Sequence, residues 1–131
     1  MPNLFMSPED YAKRLWDWTP LNESFPRGIH MTDVDGGVEI GGEFLEVEGK
    51  SEGAELPKGQ GYYLFRKVAL GIRVIVLRGD PPQTVTGWDV LVNRRRSFWP
   101  QHWQEHSYTG DYAAFAKFVR RWALLADSKT T

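Results

Sequence analysis

The residues with chemical potential crowd into one segment, Thr32-Asp33-Val34-Asp35-Gly36-Gly37-Val38-Glu39-Ile40-Gly41-Gly42-Glu43-Phe44-Leu45-Glu46-Val47-Glu48-Gly49-Lys50. Gly41-Gly42 signals a two-residue hairpin loop, because the tight turns that join twisted strands need positive φ at their central positions. With that loop, Val38 faces Leu45, Gly36 faces Val47, Asp35 faces Glu48 and Asp33 faces Lys50. The period of two sends the aliphatic side chains to one face and the charged ones to the other. Opposed carboxylates repel across about 5 Å, a cost that a divalent cation between them would cancel. Mg²⁺ or Mn²⁺ suits such a place, since hard cations take carboxylate and water oxygens and leave room for a substrate phosphate. Lys50 projects from the same face as Glu48, where it could orient an attacking water or offset charge developing on a phosphate. Two carboxylates and a lysine are the minimum equipment for metal-assisted phosphodiester hydrolysis. The competing reading is a solvated, mixed-charge face of an edge hairpin.

Local signals supply the elements that must hold these residues. Ser7-Pro8-Glu9-Asp10 opens a helix running to about Trp18, with Ser7 as N-cap. Strands are expected near 31–40 and 43–49, a helix over 59–70 capped by Gly71, and a buried strand in the β-branched run Ile72–Leu77. Thr84–Val92 reads as another strand. Gly110-Asp111 precedes a last helix to about Ala126, with Tyr112, Phe115, Val119, Trp122 and Leu125 at helical spacing. The order α-β-β-α-β-β-α predicts an α/β or α+β fold, a central mixed sheet flanked by helices, in a single domain over residues 1–131.

Asp35, Glu48-Gly49-Lys50 and Gln60 at the head of the following helix resemble the PD-(D/E)XK nuclease superfamily. The stretch from Pro20 to Gln60 is similar to small phage-encoded nucleases of that group, and to virus-type replication-repair nucleases and Holliday-junction resolvases. Its marks are Arg27-Gly28-Ile29, Thr32-Asp33-Val34-Asp35-Gly36, Glu48-Gly49-Lys50, Gly53-Ala54-Glu55-Leu56 and Gly59-Gln60. The resemblance covers residues 20–80 and implies a restriction-endonuclease-like αβββαβ core. It further implies that Asp35, Glu48 and the main-chain carbonyl of Gly49 hold Mg²⁺ or Mn²⁺. Lys50 would be the catalytic lysine, and Gln60 would orient that lysine or the nucleophilic water. Two positions depart from the pattern: Glu46 stands where an apolar residue is usual, and Gly49 replaces a bulkier one. For the glutamate that some branches carry on their first helix, the nearest candidate is Glu23.

Composition sets the remaining bounds. The 131 residues are 41% hydrophobic and 25% charged, without cysteine, which excludes disulfide scaffolds, thiol catalysis and cysteine-type zinc sites. No apolar run is long enough to span a bilayer, and no secretory signal opens the chain, so a cytoplasmic protein without membrane contact is expected. The net charge of −1 combines −6 over residues 1–50 with +5 over residues 51–131. The acidic part suits a cation, and the basic part, with Lys58, Arg66, Lys67 and Arg94-Arg95-Arg96, could meet phosphates around it. DNA binding that tightens with metal is therefore expected. The arginine run is followed by Phe98, Trp99 and Trp103, a mix of cations and flat rings that suits phosphates and exposed bases, or else a solvated loop beside core aromatics. Arg27 could reach a phosphate near the metal. His102 and His106 would share a face only if their segment were helical.

The expected function is a divalent-metal-dependent DNA endonuclease, phage- or mobile-element-encoded, working alone or as a homodimer. The alternative is a catalytically inactive nuclease-fold protein that binds DNA or a protein partner.

Overall fold

The computed structural model describes Ser7, Glu9, Asp10, residues 19–29 and residues 35–129. Most of the expected first helix, Asp33 and the start of the first strand lie outside the described residues. Contacts divide the chain into two units, Met1–Asp33 and Val34–Thr131. In the first, the Asp10 N–H donates to Ser7 Oγ at 3.1 Å, the N-cap bond expected of that serine. Two 3-10 turns follow, Thr19–Ser24 and Pro26–Gly28. They carry exposed Glu23 and Arg27.

The second unit runs β1 (Gly36–Ile40), β2 (Glu43–Lys50), α1 (Lys58–Ala69), β3 (Arg73–Asp80), β4 (Thr84–Val92), β5 (Gln104–Thr109) and α2 (Tyr112–Ser128). The five strands form one sheet in the order β1-β2-β3-β4-β5. β2 and β3 are parallel, and every other pair is antiparallel. A parallel pair needs a crossover, and α1 supplies it. The fold is α+β, a mixed central sheet with two helices.

The hairpin register is the one the turn demands. Gly41 and Gly42 have φ of 57° and 88°, and Gly36, Val38 and Ile40 pair with Val47, Leu45 and Glu43. Pleating then divides the core. Leu64 and Phe65 of α1 pack on Val74, Val76 and Leu91, whereas Phe115 of α2 packs with Leu45, Ile75, Trp88 and Val90 on the opposite face. Val74, Ile75 and Val76 are all at most 1% exposed, as a continuous β-branched run sandwiched between two layers should be. The apolar stripe of α2 is narrower than its spacing suggests. Phe115, Val119 and Trp122 turn inward together with Phe118, while Tyr112 and Leu125 at its ends are exposed.

Two expectations are corrected. Residues 104–109 form an edge strand that sequence does not announce, because QEHSYT has no alternation and is exposed throughout. Its strand character comes from pairing with β4. That strand also separates the two histidines: His102 ends a 3-10 turn and His106 lies in β5, so they share no helix face.

Among the described residues, no helix is long and apolar enough to cross a membrane. Leu64 is fully buried at the centre of the α1 face. Leu64→Ala should therefore cost about 2–5 kcal/mol of unfolding free energy, read from the midpoint of a urea titration.

Candidate active site

The carboxylates are brought together at the C-terminal end of β2. Because Glu46, Glu48 and Lys50 alternate with Leu45, Val47 and Gly49, all three charged side chains lie on the α1 face of the sheet. Glu48 is 3% exposed, and a buried charge needs donors around it. The main-chain N–H of Asp35 donates to Glu48 Oε1 at 3.4 Å. The Gln60 amide donates to Glu48 Oε2 at 3.0 Å. Asp35 in turn accepts from the Gly49 N–H through Oδ2 at 2.8 Å. Asp35, Glu48, Gly49 and Gln60 thus form one hydrogen-bonded cluster, with the strand-to-strand register placing Asp35 and the first turn of α1 placing Gln60.

Electrostatics mark Glu48 as the unusual member. Burial pushes its carboxyl above the ordinary 4.5, and the neighbouring Asp35 charge pushes the same way. The Asp35 N–H and the Lys50 charge only partly offset them. Lys50 itself makes no ion pair among the described residues.

Glu46 has a different job. Its carboxylate is ion-paired with Lys67, whose ammonium also donates to the Tyr63 hydroxyl at 2.9 Å. Burial works to lower the Lys67 pKa, but the bonds to Glu46 and Tyr63 outweigh it and hold it above its usual value. Gln60, Tyr63 and Lys67 are spaced i, i+3 and i+7, so one stripe of α1 reaches Glu46 and Glu48 of β2. The acidic departure at Glu46 is therefore neutralised within the fold, leaving Asp35 and Glu48 as the uncompensated pair. Glycine at 49 is not forced by lack of space, since a Cβ there would stand 3.5 Å from Asp35 Oδ2, an ordinary contact.

A polar chain that the sequence reading missed continues across the same face. Arg78 pairs with Lys50 in register. Its Nε donates to Asp89 Oδ2 at 2.8 Å, its Nη1 to the Ala54 carbonyl at 2.6 Å, and Ser107 Oγ donates to Asp89 Oδ1 at 2.7 Å. Arg78 so ties the loop after Lys50 to the sheet. Its only signal was a charge directly after the β-branched run, and Asp89 likewise interrupts Trp88 and Val90. Beside Arg78, the Gly53–Lys58 loop, Tyr62 and Trp103 border an open cleft of about 730 Å³.

Within the second unit, Arg94, Arg95 and Arg96 do not join the cluster. Val90 pairs with Ile75 and Gly87 with Arg78, so the end of β4 lies at the opposite end of the sheet from Lys50. About 17 Å of strand separates the level of Lys50 from Val92, before Arg94, Arg95 and Arg96 begin. Lys67 serves Glu46, and the Arg66 guanidinium lies over the rings of Tyr62 and Phe98 at 4.9 and 5.0 Å. Trp103 stacks on Phe65 at 4.8 Å, so it is a packing residue rather than an open platform. Arg27 and Glu23 belong to the first unit.

No protein-family model matches the chain, and no curated protein or solved structure matches it significantly.

The raised Glu48 pKa has a stability consequence. The folded carboxyl holds its proton to higher pH than the unfolded one near 4.5. Stability from this group is therefore full below about that pH and is lost as pH rises through the folded value. Glu48→Gln should raise Tm relative to the wild type at pH 7–8 in EDTA, with the difference shrinking toward pH 4. Thermal melts across that range check it.

Proposed function

We propose that the chain is a divalent-cation-dependent endonuclease that hydrolyses phosphodiester bonds in DNA. The observation that carries this reading is the convergence of Asp35, buried Glu48 and Gln60 at the end of β2, with Lys50 next on the same strand face. The donor set fits Mg²⁺ or Mn²⁺: hard ions of this kind are commonly held by one or two carboxylates, with waters and phosphate completing the shell. The repulsion between exposed Asp35 and buried Glu48 is also what such an ion relieves. Asp35 and Glu48 would hold it, with the Gly49 carbonyl as the further ligand the family resemblance implies. Once bound, the ion supplies Lewis-acid polarisation of the phosphate and acidifies a water.

The chain's own residues do the rest. Gln60 and the Asp35 N–H fix the Glu48 carboxylate from two sides, so its lone pairs are oriented before any ligand arrives. Lys50, with no competing carboxylate partner among the described residues, is placed to offset the negative charge that grows on the phosphate in the transition state. Among the described residues of the second unit, no belt of cations surrounds the carboxylates, which favours DNA binding at this site that depends on the divalent ion. The resemblance to small phage nucleases supports a mobile-element origin, a cytoplasmic setting and a homodimer as parts of the same reading.

One observation favours the alternative of a non-catalytic binding protein on this fold. Among the described residues, no three Asp, Glu or His side chains converge as a metal-holding group.

Incubation with plasmid, single-stranded, flapped and four-way DNA separates the two. Cleavage is expected with Mg²⁺ or Mn²⁺ and not with EDTA, and Glu48→Gln and Lys50→Ala should fall to background. Gln60→Ala, which loosens a ligand without removing it, should slow cleavage by about 10- to 100-fold. Full activity in Glu48→Gln or Lys50→Ala would sink the proposal. No cleavage of any substrate, with no divalent-linked change in Tm, would select the binding protein.

Glu46→Gln provides the contrast. It strips Lys67 of its buried partner and should lower Tm, while the divalent-dependent cleavage persists because Glu46 holds no ion in this scheme. Parallel melts and cleavage assays read both effects.

A further inference from the structure

The connection between β4 and β5, Asn93 to Trp103, is built unlike an ordinary surface loop. Two neighbouring aromatic rings stand in water on it, Phe98 at 62% and Trp99 at 63% exposure. Three consecutive arginines, Arg94 to Arg96, are exposed just before them, and none forms an ion pair among the described residues. No acidic residue occurs from Asn93 to Trp103.

The loop is also braced. The buried Asn93 side chain donates to the Phe65 carbonyl at 3.0 Å and to the Ser97 carbonyl at 2.9 Å, and accepts from the Ser97 N–H at 2.9 Å. The Trp103 indole N–H donates to the same Ser97 carbonyl at 2.9 Å. Arg66 donates to the Phe98 carbonyl at 3.2 Å while lying over its ring. Arg96 sits at φ 51°, a left-handed conformation that a non-glycine residue adopts at a cost of order 1 kcal/mol. A scaffold that holds strain and two largely exposed rings in place, rather than letting them collapse onto the core, has prepaid the ordering that a ligand would otherwise require.

We propose that this loop is a binding site for unpaired nucleotides of a single-stranded nucleic acid, with phosphates at Arg94 and Arg95 and bases stacked on Phe98 and Trp99. Uncompensated guanidiniums call for a polyanion, and adjacent flat rings call for flat apolar groups between its charges. A nucleic-acid strand alternates the two, and only unpaired bases offer open π faces, since those of a duplex are covered by their neighbours. A shallow, open depression of about 410 Å³ lined by Arg95, Arg96, Ser97, Phe98, Trp99 and His102 lies beside the rings and arginines. An acidic peptide or an anionic bilayer satisfies the arginines but leaves the rings without flat partners. The arginines follow the end of β4 that is remote from the level of Lys50, and the assignment goes beyond hydrolysis at the carboxylates and does not rest on it.

The test uses the full chain in EDTA, where no cleavage is required, with labelled twelve-nucleotide oligo-dT and oligo-U. Saturable binding of these strands in preference to a duplex of the same length is expected. Trp99→Ala should weaken it about tenfold, the loss of one stacked base. Trp99→Leu, which keeps apolar bulk but not the plane, should do the same, and the high exposure of Trp99 predicts unchanged melting for both. Arg94→Ala combined with Arg95→Ala should reduce the slope of log affinity against log salt by about 1.4. Equal affinity for duplex, wild-type binding by both Trp99 variants, or binding of vesicles rich in phosphatidylserine without binding of the strands would overturn the assignment. Because cleavage plays no part, this result and the endonuclease assay succeed or fail separately.

Discussion

A carboxylate 3% exposed to solvent is the constraint around which the second unit is organised. Removing the charge of Glu48 from water is costly, and the fold answers with two donors from different elements, the Asp35 main chain and the Gln60 side chain. Those donors are correctly placed only if β1 and β2 pair in one register and α1 crosses that face with its first turn over the end of β2. A slip of one residue would exchange Glu48 for Val47 on that face and bury the wrong set. The same geometry brings the Asp35 charge up to Glu48 and raises its pKa. That penalty is retained instead of being relieved by the nearby lysine of α1, which is committed to Glu46.

The commitment of cations elsewhere changes the meaning of the near-zero net charge. Lys67, Arg78 and Lys129 are each bound to a carboxylate, and Arg66 is held between rings. The excess of basic residues after residue 50 is therefore not one patch facing one acidic patch. Four of those twelve basic side chains, Lys67, Arg78, Lys129 and Arg66, are engaged in joining elements. Among the described residues, the cations without an ion pair include Lys50 beside the carboxylates and the arginine run after β4, along with Lys58, Arg73, Lys117, Arg120 and Arg121. Arg78 shows how such joining supports a site without belonging to it, since it links Asp89 to the loop that follows Lys50.

Much of this was legible along the chain. Gly41-Gly42 dictated which residues oppose one another, and Thr84–Val92 and the Asp111 cap, which accepts from the Ala114 N–H, follow from β-branched composition and capping chemistry. The cluster of Asp35 and Glu48 was readable because both effects are local, a turn with positive φ and a period of two. Its partner Gln60 came from family resemblance and not from any local rule. β5 was invisible, since QEHSYT has neither alternation nor apolar content and gains its strand state only from the backbone groups that β4 leaves unpaired.

By itself, then, the sequence determined the hairpin, its charged face and the buried central strand, because these depend on residues within a few positions of one another. Only the tertiary structure decided which charges are neutralised, which aromatic rings are covered and which cations lie near the carboxylates. Glu46 and Lys67 are twenty-one residues apart, and Asn93 and Phe65 twenty-eight. A residue's charge or aromaticity is written in its side chain, but whether water, a partner or nothing compensates it is set by what the packed layers bring alongside.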